Sequence, residues 1–344
     1  MRWPNPLICQ QPGELANQHL LPNRSASLRR LERGLRSRYA IVRIIQRLGW
    51  STPWPGLLRP LRALASLAPR DPETQAAARE LLRKLNGAHL AALNDAVLTE
   101  RPSSHLLVPM IVGCRSRLKK AQRAQKAFDD CSRSQIQRAL IVVGNPQLPD
   151  WAIRFCPERR LLELSADDHY EGLPQKVTHA FATLSLLETP LFVLKLDDDA
   201  RPGKVQRLGE MARQIASTRS QAAGFPIVTP TPLHLDRGWH IGKSHRTNLE
   251  PFSSLGARTW LSGGAGYLLN QNAVDLIGGF WMHTSGFIDS MLYEDVCISM
   301  LLQAADTEFY WLQDPADLGL LSERQQEFDN GLWHIPNEFF HTES

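Results

Sequence analysis

The chain has 344 residues, of which 43% are apolar and 22% charged, with 22 glycines and 23 prolines. This is the composition of a globular protein with a sizeable core; it excludes a disordered tail, a collagen and a disulfide-stapled mini-protein. The net charge of +4 is unevenly placed: the stretch from Arg24 to Arg47 holds eight arginines against the single Glu32, so the rest of the chain is slightly acidic. A basic face spread over a folded domain, the usual footprint of a nucleic-acid binder, is therefore not expected.

No run of about 18 uncharged apolar residues occurs, so no membrane-spanning helix is expected. The first residues lack the apolar core of a secretory signal. The five cysteines, Cys9, Cys114, Cys131, Cys156 and Cys297, are odd in number and never spaced CxxC. They are expected to be reduced thiols of a cytoplasmic chain, neither a disulfide framework nor a zinc site.

Residues 1–23 are rich in proline and glutamine and show no period. From 25 to 48, Leu28, Leu31, Leu35, Tyr39, Val42, Ile45 and Leu48 recur at three- or four-residue steps, with arginines filling much of the other face. The pattern predicts a basic amphipathic helix. It either packs on its own domain or lies peripherally on an anionic membrane, here the inner face. Residues 51–70 carry four prolines and read as an irregular linker. A helix follows, capped by Asp71, opened by Pro72 and ended by Asn86-Gly87; a second short helix covers His89 to Leu98. Residues 1–100 thus read as a helical N-terminal region, and 101–344 as the domain that carries chemistry.

Strands are predicted at Leu106–Val112, Ala139–Val143, Arg160–Leu164 and Leu191–Leu196. Helices are predicted at Ser116–Phe128, Leu173–Leu187, Gln271–Ile277 and Cys297–Ala304. Strands alternating with helices imply an α/β fold with a mainly parallel sheet covered on both faces. Ligands of such sheets bind at the carboxyl ends of the strands, which directs attention to the residues after Leu196.

The apolar strand closes on Asp197-Asp198-Asp199. Side chains alternate along a strand, so Asp197 and Asp199 are expected on one side and Asp198 on the other. Two carboxylates about 5 Å apart repel by roughly 3 kcal/mol at an effective dielectric near 20, which calls for a compensating cation. Oxygen ligands suit Mg²⁺ or Mn²⁺, ions that also bind substrate phosphates; the alternative is a solvated acidic turn. The aspartyl-phosphatase pattern D-x-D-x-[TV] fails, because Arg201 stands at its fifth position.

Two further stretches stand out. Trp260-Leu-Ser-Gly-Gly-Ala-Gly-Tyr267 is a glycine loop that lets backbone approach a ligand closely. It matches neither a dinucleotide fingerprint nor a P-loop. Tyr293-Glu294-Asp295-Val296 places an acidic pair at a helix start. That pair either complements the helix dipole or presents a general base.

Taken together, these blocks resemble glycosyltransferase family 31, the β1,3-galactosyltransferase, N-acetylglucosaminyltransferase and Fringe group. Asp168, Tyr170, Leu173 and Lys176 are similar to its D-x-Y-x-x-L-x-x-K segment. Lys195 with Asp197, Asp198 and Asp199 resembles its K-x-D-D-D motif, Ser262–Tyr267 its S-G-x-G-Y loop, and Glu294-Asp295-Val296 its E-D-V motif. The resemblance spans about residues 105–340. The chain departs from the family's pattern at Ser299, where a glycine is usual, and at Ala200-Arg201-Pro202, where a hydrophobic residue usually follows the triplet. It also shows no counterpart of the membrane anchor or luminal disulfides of the well-known members.

The resemblance implies a Rossmann-like GT-A fold. It further implies a Mn²⁺- or Mg²⁺-dependent, inverting transfer of a hexose or N-acetylhexosamine from a UDP-sugar to a glycan hydroxyl, with a β1,3 linkage. Asp199 is then the first metal ligand, with Asp197 and a C-terminal histidine, His334 ahead of His341. Asp197, Asp198, Lys176 and the loop glycines Gly263, Gly264 and Gly266 face the donor. Asp295 is the base and Glu294 orients a substrate. Trp239, Trp260 and Trp281 are candidates for stacking on sugar, and the polar segment 230–258 for a closing loop. Two other outcomes stay open: a nucleotide-sugar-binding protein of the same fold without turnover, and a metal-dependent phosphohydrolase.

Overall fold

In the computed structural model the described residues are 72–98, 106–131, 136–188, 190–204, 206–228, 259–288, 291–313, 318 and 320–322. The expected helix at 25–48, the segment 230–258, Trp239, His334 and His341 lie outside them.

The first element is helix α1 (Pro72–Leu98). Strand β1 (Leu106–Val112) leads through a 3₁₀ turn at Arg115–Arg117 into α2 (Leu118–Cys131). Then come β2 (Leu140–Gly144), β3 (Ile153–Cys156), β4 (Leu161–Leu164), α3 (Leu173–Leu184) and β5 (Leu191–Asp197). Beyond the acidic triplet follow β6 (Ala200–Pro202), α4 (Gln206–Ser217), β7 (Ala222–Gly224) and β8 (Pro226–Val228). The chain continues with β9 (Thr259–Leu261), β10 (Tyr267–Leu269), α5 (Gln271–Ile288), α6 (Glu294–Ala304), β11 (Phe309–Trp311) and β12 (Leu320–Ser322).

Eight strands form one sheet in the order β11-β7-β10-β5-β1-β2-β4-β3. The centre is parallel: β1 lies between β2 and β5, with Val112 in register with Asp197. β10 runs antiparallel between β5 and β7, and β3 antiparallel on β4. The sheet is thus mixed but mostly parallel, as the alternating pattern predicts, and the α/β class holds.

The alternation of side chains explains the layers. Along β1, Leu106, Val108, Met110 and Val112 enter one apolar cluster, while Leu107 and Ile111 enter another. The first cluster is covered by α3, α5 and α6, with Phe181, Trp281 and Val296 at 2% exposure or less. It also takes in Ala78, Leu82, Leu90, Leu93 and Val97 of α1. The second lies under α2 and α4, through Ala121, Phe128, Leu208 and Ile215. On β5, Val193 belongs to the first side and Leu194 to the second. Lys195 and Asp197 therefore point to the side of α3, α5 and α6.

Two expectations are corrected. α1 does not stop at Asn86-Gly87 but runs on unbroken to Leu98. The Asn86 amide donates to the Trp151 carbonyl at 3.0 Å and accepts the Ile153 N–H at 2.9 Å, so its polar group is spent on edge strand β3 instead of on capping. Tertiary docking overrides a local stop signal. Strand alternation also ends at Asp197, because Asp198 and Asp199 form a turn; the side-sharing expected of Asp197 and Asp199 does not carry past it. Among the described residues no helix is long and apolar enough to cross a membrane. Cys114, Cys131, Cys156 and Cys297 are free thiols.

Candidate active site

The carboxyl ends of β1 and β5 are neighbours in the sheet, so the loops that follow them meet. Between them opens a cavity of about 480 Å³, lined by Gly113, Cys114, Ser116, Arg117, Lys120, Asp168, His169, Tyr170, Lys176 and the whole triplet Asp197–Asp199. Three stretches far apart in sequence build it: the exit of β1, the entry to α3, and the exit of β5.

Asp168 fixes the first two stretches to each other. Its carboxylate accepts the N–H of Arg115 at 2.5 Å, the N–H of Gly144 at 2.8 Å and the ammonium of Lys176 at 3.3 Å. Lys176 also donates to the Gly113 carbonyl at 2.7 Å. Burial lowers the Lys176 pKa, and Asp168 opposes that shift. Lys176 thus lines the cavity expected of it, but most of its hydrogen-bonding capacity is committed to the scaffold.

Each carboxylate of the triplet has its own protein cation. Asp197 accepts from Lys195 at 2.8 Å and Asp198 from Arg117 at 2.6 Å, while Asp199 lies 3.6 Å from Lys120. Asp198 is nevertheless pushed up to about 6, by burial first, with Arg117 and Lys120 working against it.

The ammonium of Lys195 is the hinge of the second half of the site. Besides Asp197 it reaches Glu294 at 3.1 Å and the Gly263 carbonyl at 3.2 Å. Burial alone would depress it, but Asp197 and Glu294 outweigh burial and hold it above the ordinary lysine range. A single side chain thereby ties the acidic triplet, the glycine loop and the acidic pair together. Glu294 also accepts the Tyr267 hydroxyl. Asp295 accepts the Gly263 N–H at 3.2 Å and, at its other oxygen, the Val296 N–H at 2.8 Å. Its carboxyl is raised to about 6 by burial and by Glu294, against the pull of Lys195 and the two N–H groups.

The glycines have distinct duties. Gly266 has φ +78°, where a side chain is strained, and a Cβ there would meet the Lys195 carbonyl oxygen at 3.0 Å. Gly263 packs against Asp295, whose Cβ lies 3.1 Å from where a side chain would begin, whereas Gly264 is exposed with open space before it. Tyr170 bridges the two halves electrically. It lines the cavity, and its phenol is pushed well up by burial and then by Asp295 and Asp197.

The described residues of this corner set six carboxyl side chains (Asp168, Asp197, Asp198, Asp199, Glu294 and Asp295) against four cations (Arg117, Lys120, Lys176 and Lys195), an excess of two negative charges. Asp197 and Asp199 are the residues that could take a cation. Among the described residues no three His, Cys, Asp or Glu side chains converge as a complete metal cage.

Of the residues expected from the sequence, Asp197, Gly263 and Glu294 meet on Lys195, Asp295 joins them through the Gly263 N–H, and Lys176, Asp198 and Asp199 line the same cavity as Asp197. Gly264 and Gly266 belong to the same loop as Gly263. Trp260 and Trp281, at 1% exposure, are core residues and offer no face to a sugar. Sequence reasoning gave no role to Arg117, Lys120, Tyr170, Lys195 or Tyr267. Lys195 had a signal, a lysine inside an otherwise apolar strand; Arg117 and Lys120 had one too, their place just beyond the carboxyl end of β1. No protein-family model matches the chain, and no curated protein matches it.

Proposed function

We propose that the chain is an inverting, metal-dependent glycosyltransferase of the GT-A type, related to family 31, which moves a hexose or N-acetylhexosamine from a UDP-sugar to a glycan hydroxyl. The observation that carries the reading is the Lys195 ammonium, which brings the triplet and the acidic pair into one site although 97 residues separate Asp197 from Glu294. Those are the two groups that such a transfer requires next to each other: one to receive the donor's diphosphate, one to take the acceptor's proton.

The donor set supports a hard divalent cation. Asp199, with Asp197 and, from outside the described residues, His334, would hold it. One or two carboxylates completed by phosphate and water oxygens is the usual arrangement for Mg²⁺ and serves Mn²⁺ as well. The two excess negative charges of the corner match such an ion. When bound, it supplies charge neutralisation for the departing diphosphate.

The chain's own residues do the rest. Asp295, raised toward neutrality, accepts the proton of the acceptor hydroxyl. The acceptor oxygen attacks the anomeric carbon while the bond from that carbon to the diphosphate oxygen breaks, and the electron pair of that bond leaves with UDP. One displacement from the far face inverts an α-linked donor to a β-linked product. Glu294, held by Lys195 and Tyr267, fixes the orientation of the helix start that carries Asp295.

A panel of UDP-sugars, each with and without Mn²⁺, tests the reading. One donor should raise the melting temperature and release UDP slowly, in both cases only with the ion present. A panel in which no UDP-sugar and not UDP itself changes melting or is hydrolysed would overturn it.

A further inference from the structure

Two cations sit on the acidic turn, and the transfer chemistry above assigns them nothing. Arg117 comes from the 3₁₀ turn after β1 and donates to Asp198 at 2.6 Å. Lys120, in the first turn of α2, lies 3.6 Å from Asp199. The partners differ in kind. The Asp198 and Asp199 side chains are 6% and 14% exposed, Arg117 49% and Lys120 23%. Asp198 is buried and Asp199 partly so, in a short turn; the cations reach them on long stems. The other cation lining the cavity, Lys176, is 2% exposed and bound to the Gly113 carbonyl and Asp168.

Resting on the transferase reading, we propose that Arg117 and Lys120 are the diphosphate-binding residues of the cavity, and that until the diphosphate takes them over Lys120 holds Asp199, a carboxylate that the divalent cation needs, while Arg117 holds its neighbour Asp198. Lys120 and a divalent ion repel each other across Asp199, so an ion arriving alone must displace the ammonium. A nucleoside diphosphate arriving alone meets two excess negative charges and two engaged cations. When both arrive, Lys120 and Arg117 exchange carboxylate oxygens for phosphate oxygens, which are equally good acceptors of charged donors, and the freed carboxylate faces the ion. Ion and nucleotide therefore bind cooperatively, and neither binds well alone.

Calorimetric titration of the full chain tests this, with Mn²⁺ alone, UDP alone, and UDP at saturating Mn²⁺ as the probes. Both Lys120→Gln and Arg117→Gln change side chains that reach solvent, and melting curves confirm their folding. Lys119→Gln, an exposed neighbour on the same helix, controls for general charge. Lys120→Gln should bind Mn²⁺ alone roughly threefold tighter and UDP at saturating Mn²⁺ roughly tenfold weaker. Arg117→Gln should weaken UDP by a similar factor, and Lys119→Gln should change neither. A merely structural role cannot strengthen one ligand while weakening the other. If wild type binds UDP and Mn²⁺ but Lys120→Gln leaves both unchanged, or weakens both, the exchange is wrong and the transferase reading stands. If wild type binds neither probe, both fall.

Discussion

Lys195 Nζ lies 3.1 Å from Glu294 Oε2, and the two side chains are 1% and 3% exposed. A buried pair of this kind adds little over an apolar pair, but breaking it strands a charge. Lys195→Met should therefore destabilise the protein by about 3–5 kcal/mol, since it leaves Glu294 buried without its cation. Lys195→Met with Glu294→Gln should recover part of that loss, with a coupling of about 1 kcal/mol or more in a double-mutant cycle by urea unfolding. Strict additivity of the two single changes would show that the contact carries no energy.

Asp295 is the residue whose loss should separate binding from chemistry. Asp295→Asn keeps the size of the side chain and one acceptor oxygen but removes the base. Turnover should fall by roughly 10²–10⁴-fold, while UDP affinity at saturating Mn²⁺ stays within about twofold. Paired calorimetry and UDP-release assays read both quantities. Full activity in Asp295→Asn would end the base assignment.

The same carboxyl sets a pH dependence. Burial and Glu294 raise it to about 6. A base works deprotonated, so turnover should be level above about pH 7 and fall about tenfold per unit once the pH drops below about 6. Removing the neighbouring charge in Glu294→Gln takes away one of the two causes of the rise. The acid limb of that variant, measured as kcat against pH, should move to lower pH.

The parallel centre of the sheet was legible because β1, β2, β4 and β5 are apolar enough to be buried on both faces, and because Asp197 marks where β5 leaves the core. The short strands β7, β10 and β11, three residues each, were not. They carry no period, and their pairing is decided by the strands they join. Asn86-Gly87 misled because an asparagine that stops an isolated helix can instead dock its amide on β3. The site residues Asp197 to Asp199 and Glu294-Asp295 stood out as charges beside apolar runs. Lys195 showed only as a lysine in an apolar strand; its partners come from the three-dimensional meeting of β5, the glycine loop and α6.

His179 was silent in the sequence, and it carries the last prediction. It lies on α3 with no exposed surface, its ring stacked on Trp281 at a centroid distance of 4.1 Å and an angle of 12°. Neither ring nitrogen has a hydrogen-bond partner among the described residues. Burial pushes its pKa down to about 3 from 6.5. The imidazole is thus neutral in the fold, whereas the unfolded chain takes up a proton near pH 6.5. Between those two values the unfolded state holds one more proton, so stability falls as the pH drops from 6.5 toward 3 and is fully retained above 6.5. At pH 4 the expected loss from this one residue is about 3 kcal/mol. His179→Phe keeps an aromatic ring against Trp281 and removes the titration. Urea unfolding at pH 7 and pH 4 should show a smaller acid-induced loss in the variant by about that amount; equal losses in the two proteins would mean that His179 is already protonated, or already hydrated, in the native state.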